Sequence, residues 1–152
     1  MDARDLQEHM VALIRAFGLH QTDRTPCGQP VSVSAAHALM ELAQDGSMSQ
    51  TELGARLRLE KSTVSRLVDH LEGSGWIARE RHPSDGRALL LCLTGAGRQV
   101  SEQLAIARAG KFARIFGEIP AEEREAVRHA LSVLVGAMNT SEMGRLNHAT
   151  ME

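Results

Sequence analysis

Three residues of the types that build hydrolytic sites, His82, Ser84 and Asp85, stand within four positions of one another. A nucleophile, a base and an orienting carboxylate act from separate elements that converge on a pocket. Here all three fall in the run His82-Pro83-Ser84-Asp85-Gly86-Arg87, which reads as a turn. No oxyanion hole or cofactor motif accompanies them, so neither an enzyme nor a catalytic residue is expected. The metal-binding residue types are scattered as well. His9, His20, His37, His70, His82, His129 and His148 show no short ligand spacing, and Cys27 and Cys92 form no framework. No metal and no cofactor are expected. A redox- or metal-responsive site drawn from His20, Cys27 and His37 stays open as an alternative. Cys27 lies in a Pro/Gly loop with Arg24 as the nearby cation that could lower its pKa. Cys92, on a strand, reads as core.

A different chemistry is written in Glu60 to Glu72. Val64, Leu67, Val68 and Leu71 recur at three- and four-residue steps and form one apolar stripe. Lys61, Ser62, Thr63, Ser65, Arg66, Asp69 and His70 lie largely on the other side. Hydroxyls and cations near a helix N-terminus suit phosphate oxygens and base edges. Ordinary solvated helices carry long Glu/Lys pairs there instead, and a plain surface helix is the competing reading of this segment by itself.

The elements around it must position that face. Residues 4–21 read as an amphipathic helix with Leu6, Met10, Leu13, Ile14 and Phe17 on one side. A loop with two prolines and a glycine follows, over 22–30. Ser34 is expected to cap a helix from Ala35 to Gln44, and Gly46 to close it. Ser49-Gln50-Thr51-Glu52 has the capping-box pattern and opens a short helix with Leu53 and Leu57 inward. Arg58-Leu59-Glu60 is a turn without glycine. After Gly73-Ser74-Gly75 the period changes. Residues 76–81 and 88–93 read as two strands, with Leu89, Leu91 and Leu93 on one side and Leu90 and Cys92 on the other. They make a hairpin with a projecting tip. Thr94 caps a long helix to about Gly117, with Val100, Leu104, Ile115 and Phe116 as its apolar positions. Pro120 starts a last helix, in which Val127, Leu131, Leu134 and Met138 step as a coiled-coil-like seam.

Composition agrees with a helical, folded protein. Of 152 residues, 43% are hydrophobic and 24% charged, while aromatics are 3% with no Tyr. Packing must therefore rest on Leu, Val, Ala and Met. Single-strand nucleic-acid readers, which need aromatic stacking platforms, are disfavoured. The net charge of −2 leaves any nucleic-acid surface to be a local basic patch. No apolar run approaches the ~20 residues of a membrane span. The opening Met1-Asp2-Ala3-Arg4-Asp5 does not read as a signal peptide, so a cytoplasmic, reduced protein is expected.

In this order, the segments Ser49 to Leu57, Lys61 to Glu72, Gly75-Trp76-Ile77-Ala78-Arg79, and Asp85-Gly86-Arg87 with Leu91 to Arg98 resemble the MarR family of winged helix-turn-helix regulators. The resemblance covers roughly residues 34–98. It implies a mainly α fold with a small β-hairpin wing. A winged helix-turn-helix lobe at 34–94 would join a helical dimerisation region from 1–33 and 95–145, with 146–152 a frayed tail. It also implies a homodimer on a near-palindromic double-stranded operator, usually a repressor released by a small-molecule ligand. Ser62, Thr63, Ser65 and Arg66 would reach bases or adjacent phosphates, with Lys61 on the backbone. Ser49, Gln50 and Thr51 would offer phosphate donors. Arg81 and Arg87 would be DNA-binding residues of the wing, with Arg87 in the minor groove and Asp85 accepting from Arg81 or Arg87 to fix the tip. Family members often carry Gln where this chain has His37. His37, with Phe17, is assigned to a ligand pocket. The rival outside this class is a sensor module that works through protein contacts and does not bind DNA.

Overall fold

The computed structural model describes residues 1–149, with side chains to 141. Its elements are α1 (Ala3–Phe17), α2 (Val33–Asp45), α3 (Gln50–Leu57), α4 (Lys61–Gly73), β1 (Ile77–Arg81), β2 (Leu89–Leu93), α5 (Gly95–Glu118), a 3-10 turn (Ala121–Glu123) and α6 (Arg124–Ala149). The fold is thus mainly helical with one antiparallel hairpin, paired Ile77 to Leu93 through Arg81 to Leu89. By contact the chain divides into Met1–Lys111 and Phe112–Glu152.

Local signals set most of the helix ends. Asp2 accepts the N–H groups of Arg4 and Asp5, and Asp5 returns a bond to the N–H of Asp2, a complete capping box. Gly18, at φ 92°, closes α1 by donating to Ile14, four residues before the expected end. Helix α2 is capped by Ser32, not Ser34, and starts at Val33. The Ser32 hydroxyl accepts from the N–H of Ala35 at 3.3 Å. The Ser49 box is half formed. Ser49 Oγ accepts the Glu52 N–H at 3.1 Å, but the Glu52 carboxylate takes Arg56 at 3.0 Å instead of reaching back. The glycine-free turn is made by Arg58, which adopts the left-handed conformation at φ 53°.

The core of the first unit is aliphatic. Ala35, Ala38, Leu39 and Leu42 of α2, Leu53 of α3, Val64, Leu67, Val68 and Leu71 of α4, Ile77, Leu91 and Leu104 form one buried cluster. Each fully buried Leu is worth about 2 kcal/mol of transfer free energy, so the apolar stripe of α4 is what seats it. Leu91 is buried while Leu89 is half exposed, so only part of the expected β2 face is covered. Met48, just before α3, adds a bridge to the hairpin: its N–H and carbonyl both pair with Leu91 (3.2 and 2.8 Å). Helix α1 contributes no buried residue. Leu6, Val11, Leu13 and Ile14 on α1 remain exposed.

In the second unit, the guanidinium of Arg124 lies over the Phe116 ring at 4.0 Å and donates to the carbonyl of Ile119. Val127, Leu131, Val133, Val135 and Met138 of α6 are exposed. Helix α6 runs unbroken to Ala149. Of the tail expected at 146–152, residues 150–152 lie outside those described. No helix among the described residues is long and apolar enough to cross a membrane.

Candidate nucleic-acid interface

Helices α3 and α4 are joined by a three-residue turn and pack through Gly54, where a β-carbon would meet Val64 Cγ2 at 3.0 Å. That close approach sets the start of α4 beside the start of α3. At the N-terminal end of α4, Lys61, Ser62 and Arg66 are exposed and Thr63 and Ser65 half-buried. Glu60 makes no side-chain cap there. At the start of α3, Gln50 is half-buried and Thr51 exposed. The Ser49 hydroxyl is an acceptor in the cap and keeps its own proton for a further bond.

The cations sort into two sets. Arg56 is held by Glu52, Glu41 (3.3 Å) and Asp45, which ties α3 to α2 and raises its already high pKa further. Arg79 on β1 takes Asp69 at 2.8 Å and Glu72 at 3.2 Å, which ties the hairpin to α4. Lys61, Arg66 and Arg87 make no ion pair among the described residues, and all three are exposed. On α4 and the hairpin tip these three positive charges are thus not neutralised by an ion pair among the described residues, within a chain of net −2.

At the tip, the expected partners of Asp85 are corrected. Its carboxylate accepts the backbone N–H of Arg87 at 3.1 Å, and neither guanidinium bonds to it. Arg81 donates instead to the carbonyl of Gly86 at 3.0 Å. A carboxylate two residues before an N–H closes an Asx turn more readily than it reaches a mobile guanidinium. His82 and Ser84 do meet, with Ser84 Oγ 3.0 Å from Nδ1. That nitrogen also receives two backbone N–H groups, so it is already engaged as an acceptor.

The base of the hairpin is locked. Thr94 Oγ1 accepts from the N–H of Gly97 at 3.0 Å, the predicted cap of α5, and donates to the carbonyl of Gly75 at 2.6 Å. The Thr94 N–H donates to the Trp76 carbonyl at 3.0 Å. The Arg79 anchor and the Met48 bridge are parts of this platform that sequence reasoning missed, since neither pairs residues at a periodic spacing.

The remaining candidates are separate. His37 is exposed on α2 and lines an open cleft of about 540 Å³ with Leu19, Glu41, Arg56 and Leu59. Phe17 is not among the residues lining it; its ring lies 4.6 Å from Lys111 Nζ. Lys111 also donates to the carbonyls of Phe17 (2.9 Å) and Pro26 (2.7 Å), fixing the end of α1 and the loop after it. His20, Cys27 and His37 are not gathered into a metal-binding group, and no such group occurs among the described residues. Cys27 Sγ lies 3.0 Å from the hydroxyl of the buried Thr25. Burial, with Glu80 beside it, pushes the Cys92 thiol pKa up, the opposite of what a redox sensor needs.

Residues 31–89 match the family model described as MarR family. An HTH-type transcriptional regulator of Mycobacterium bovis is 29% identical over 140 residues, covering 92% of this chain and 96% of that protein. The HTH-type transcriptional repressor MdtR of Bacillus subtilis is 29% identical over 114 residues, 75% of this chain and 74% of that one. Among solved structures, FabT of Streptococcus pneumoniae in complex with DNA is similar in fold. Its TM-score is 0.77 at 18% identity, covering 91% of this chain and 99% of that one.

Proposed function

Because the chain belongs to the MarR family of helix-turn-helix transcriptional regulators, and is not an enzyme, we propose that it acts in the cytoplasm as a homodimeric repressor on a near-palindromic duplex operator, released by a small-molecule ligand. The observation that carries the DNA contact is the placement of Lys61, Arg66 and Arg87. They are exposed on α4 and the hairpin tip with no ion pair among the described residues, whereas Arg56 and Arg79 are taken up by carboxylates. Helix α4 enters the major groove, with Ser62, Thr63, Ser65 and Arg66 toward bases and adjacent phosphates and Lys61 on the backbone. Ser49, Gln50 and Thr51 donate to phosphates. Arg87 enters the minor groove, and Arg81 and Asp85 hold the tip. FabT, solved with DNA, shares the fold, and MdtR is named a repressor.

The dimerisation region is 1–33 with 95–145. Its support is apolar surface left uncovered in one copy: Leu6, Leu13 and Ile14 on α1, and Leu131 and Val135 on α6. Scattered exposed Leu is ordinary, but rows of it on two helices mark an interface. A ligand at the His37 cleft, or beside Phe17, acts by binding one spacing of the two lobes more tightly than the other.

The test is binding of a selected palindromic duplex across a salt series, with sedimentation in parallel. The wild type is expected to be a dimer whose affinity falls with salt. Arg66→Ala with Arg87→Ala should abolish binding, and Arg87→Ala alone should reduce the salt slope by ~1. Leu13→Glu or Leu131→Glu should give monomer. A wild-type dimer with no sequence-preferring duplex binding would overturn the reading in favour of a protein-contact sensor.

A further inference from the structure

The wing turn closes around a single atom, Nδ1 of His82. It accepts the backbone N–H of Ser84 and that of Asp85, both at 3.2 Å, and the Ser84 hydroxyl stands 3.0 Å away. A backbone N–H can only donate. Nδ1 must therefore present its lone pair, and the proton of the neutral ring sits on Nε2. This is how Asn and Asp oxygens close turns, with an imidazole nitrogen in the oxygen's place. The same turn carries the other tip contacts. The His82 N–H donates to Ala88 at 2.9 Å, Ala88 donates to Asp85 at 3.0 Å, and Asp85 accepts from Arg87. The direction in which Arg87 leaves the backbone thus depends on a turn that His82 holds.

We propose that His82 is a positioning residue for DNA binding: unprotonated Nδ1 holds the wing turn in the shape that presents Arg87, so a proton on that atom competes with the turn. This rests on the reading of the hairpin tip as a DNA contact. A proton on Nδ1 would turn the acceptor into a donor facing two backbone donors. Histidine is the side chain whose charge ordinarily changes between about pH 5 and 8. The charged groups at this end of the hairpin are Glu80, Arg81, Asp85 and Arg87. Helix α4 packs on β1, and its carboxylates Asp69 and Glu72 are held by Arg79. Positive charge added to the wing would by itself strengthen binding to phosphate, whereas loss of the turn weakens it, so the sign of the pH effect discriminates.

The experiment measures affinity of the full chain for a selected duplex at about pH 8 and about pH 6, across the ordinary histidine range, for wild type, His82→Ala, His82→Asn and Arg87→Ala. Asn places an oxygen where Nδ1 accepts and does not titrate. Amide NMR of Ser84 and Asp85 without DNA is recorded over the same pH range. At the higher pH, His82→Ala should weaken binding by about the factor that Arg87→Ala does, and His82→Asn should restore it. On acidification the wild type should lose affinity several-fold relative to His82→Asn. The two amide resonances should titrate in the wild type and stay fixed in His82→Asn. The inference is overturned if Arg87→Ala weakens binding and His82→Ala does not, or if the wild type gains on acidification relative to His82→Asn. If Arg87→Ala binds as the wild type does, the wing reading itself falls, and this inference with it.

Discussion

Gly97 lies so close to Trp76 that a β-carbon on it would stand 1.9 Å from the Trp76 carbonyl oxygen and 2.8 Å from the carbonyl carbon. The obstacle is backbone, and that oxygen is already bonded by the N–H of Thr94. The contact sets the first turn of α5 against the backbone that links α4 to β1. Gly97→Ala should therefore cost about 3 kcal/mol or more, the upper range for overpacking a tight site. Urea unfolding checks this, and a loss under ~1 kcal/mol would show that the junction can open.

Arg79 separates stability from geometry. Its bonds to Asp69 and Glu72 are largely exposed, so Arg79→Met should change unfolding free energy by less than about 1 kcal/mol. Those bonds nevertheless set the angle between β1 and α4. Duplex affinity should fall more than stability does, with the salt slope nearly unchanged, because the Arg79 guanidinium is already engaged by Asp69 and Glu72. Equal losses in the two measurements would assign it a structural role only.

Arg58 holds a left-handed backbone at the turn between α3 and α4. An L side chain in that conformation costs ~1 kcal/mol relative to glycine. Arg58→Gly should raise the unfolding free energy by about that amount, read from the denaturation midpoint. A decrease would mean that the contacts of the Arg58 side chain outweigh the strain.

Cys92 should be slow to react with thiol reagents at neutral pH, because burial and Glu80 keep it protonated in the folded state. The linkage has a definite sign. In the unfolded chain a free thiol ionises near about pH 8.5. Above that value the unfolded state loses a proton that the folded state keeps, so stability falls as pH rises. Cys92→Ala should flatten that fall, which unfolding midpoints at two alkaline pH values would read.

Much of this was legible one segment at a time. The stripe Val64, Leu67, Val68 and Leu71 is buried as its spacing required, and Thr94 caps α5. The turn character of 82–87 also follows from its residues. Such signals act over one helical turn or one strand pair, where covalent geometry already brings the partners together. The errors were local competitions settled from outside. Ser32 and Ser34 are equally good caps by type, and the chosen one is set by where α2 begins to pack. Glu52 could close its capping box, but Arg56 gathers it with Glu41 and Asp45 from another helix.

What the sequence determined by itself is therefore the set of elements, their apolar faces and the residue types at the tips of α4 and the wing. Which cations remain available was decided only by the tertiary structure. Arg56 and Arg79 look no different in sequence from Arg66 and Arg87, yet the first two meet carboxylates 4 to 15 positions away and the others meet none among the described residues. The assignment of His82 as the cap of the wing was decided the same way, because one nitrogen can serve as base, ligand or turn acceptor. Only the donors brought within about 3.2 Å of it select among them.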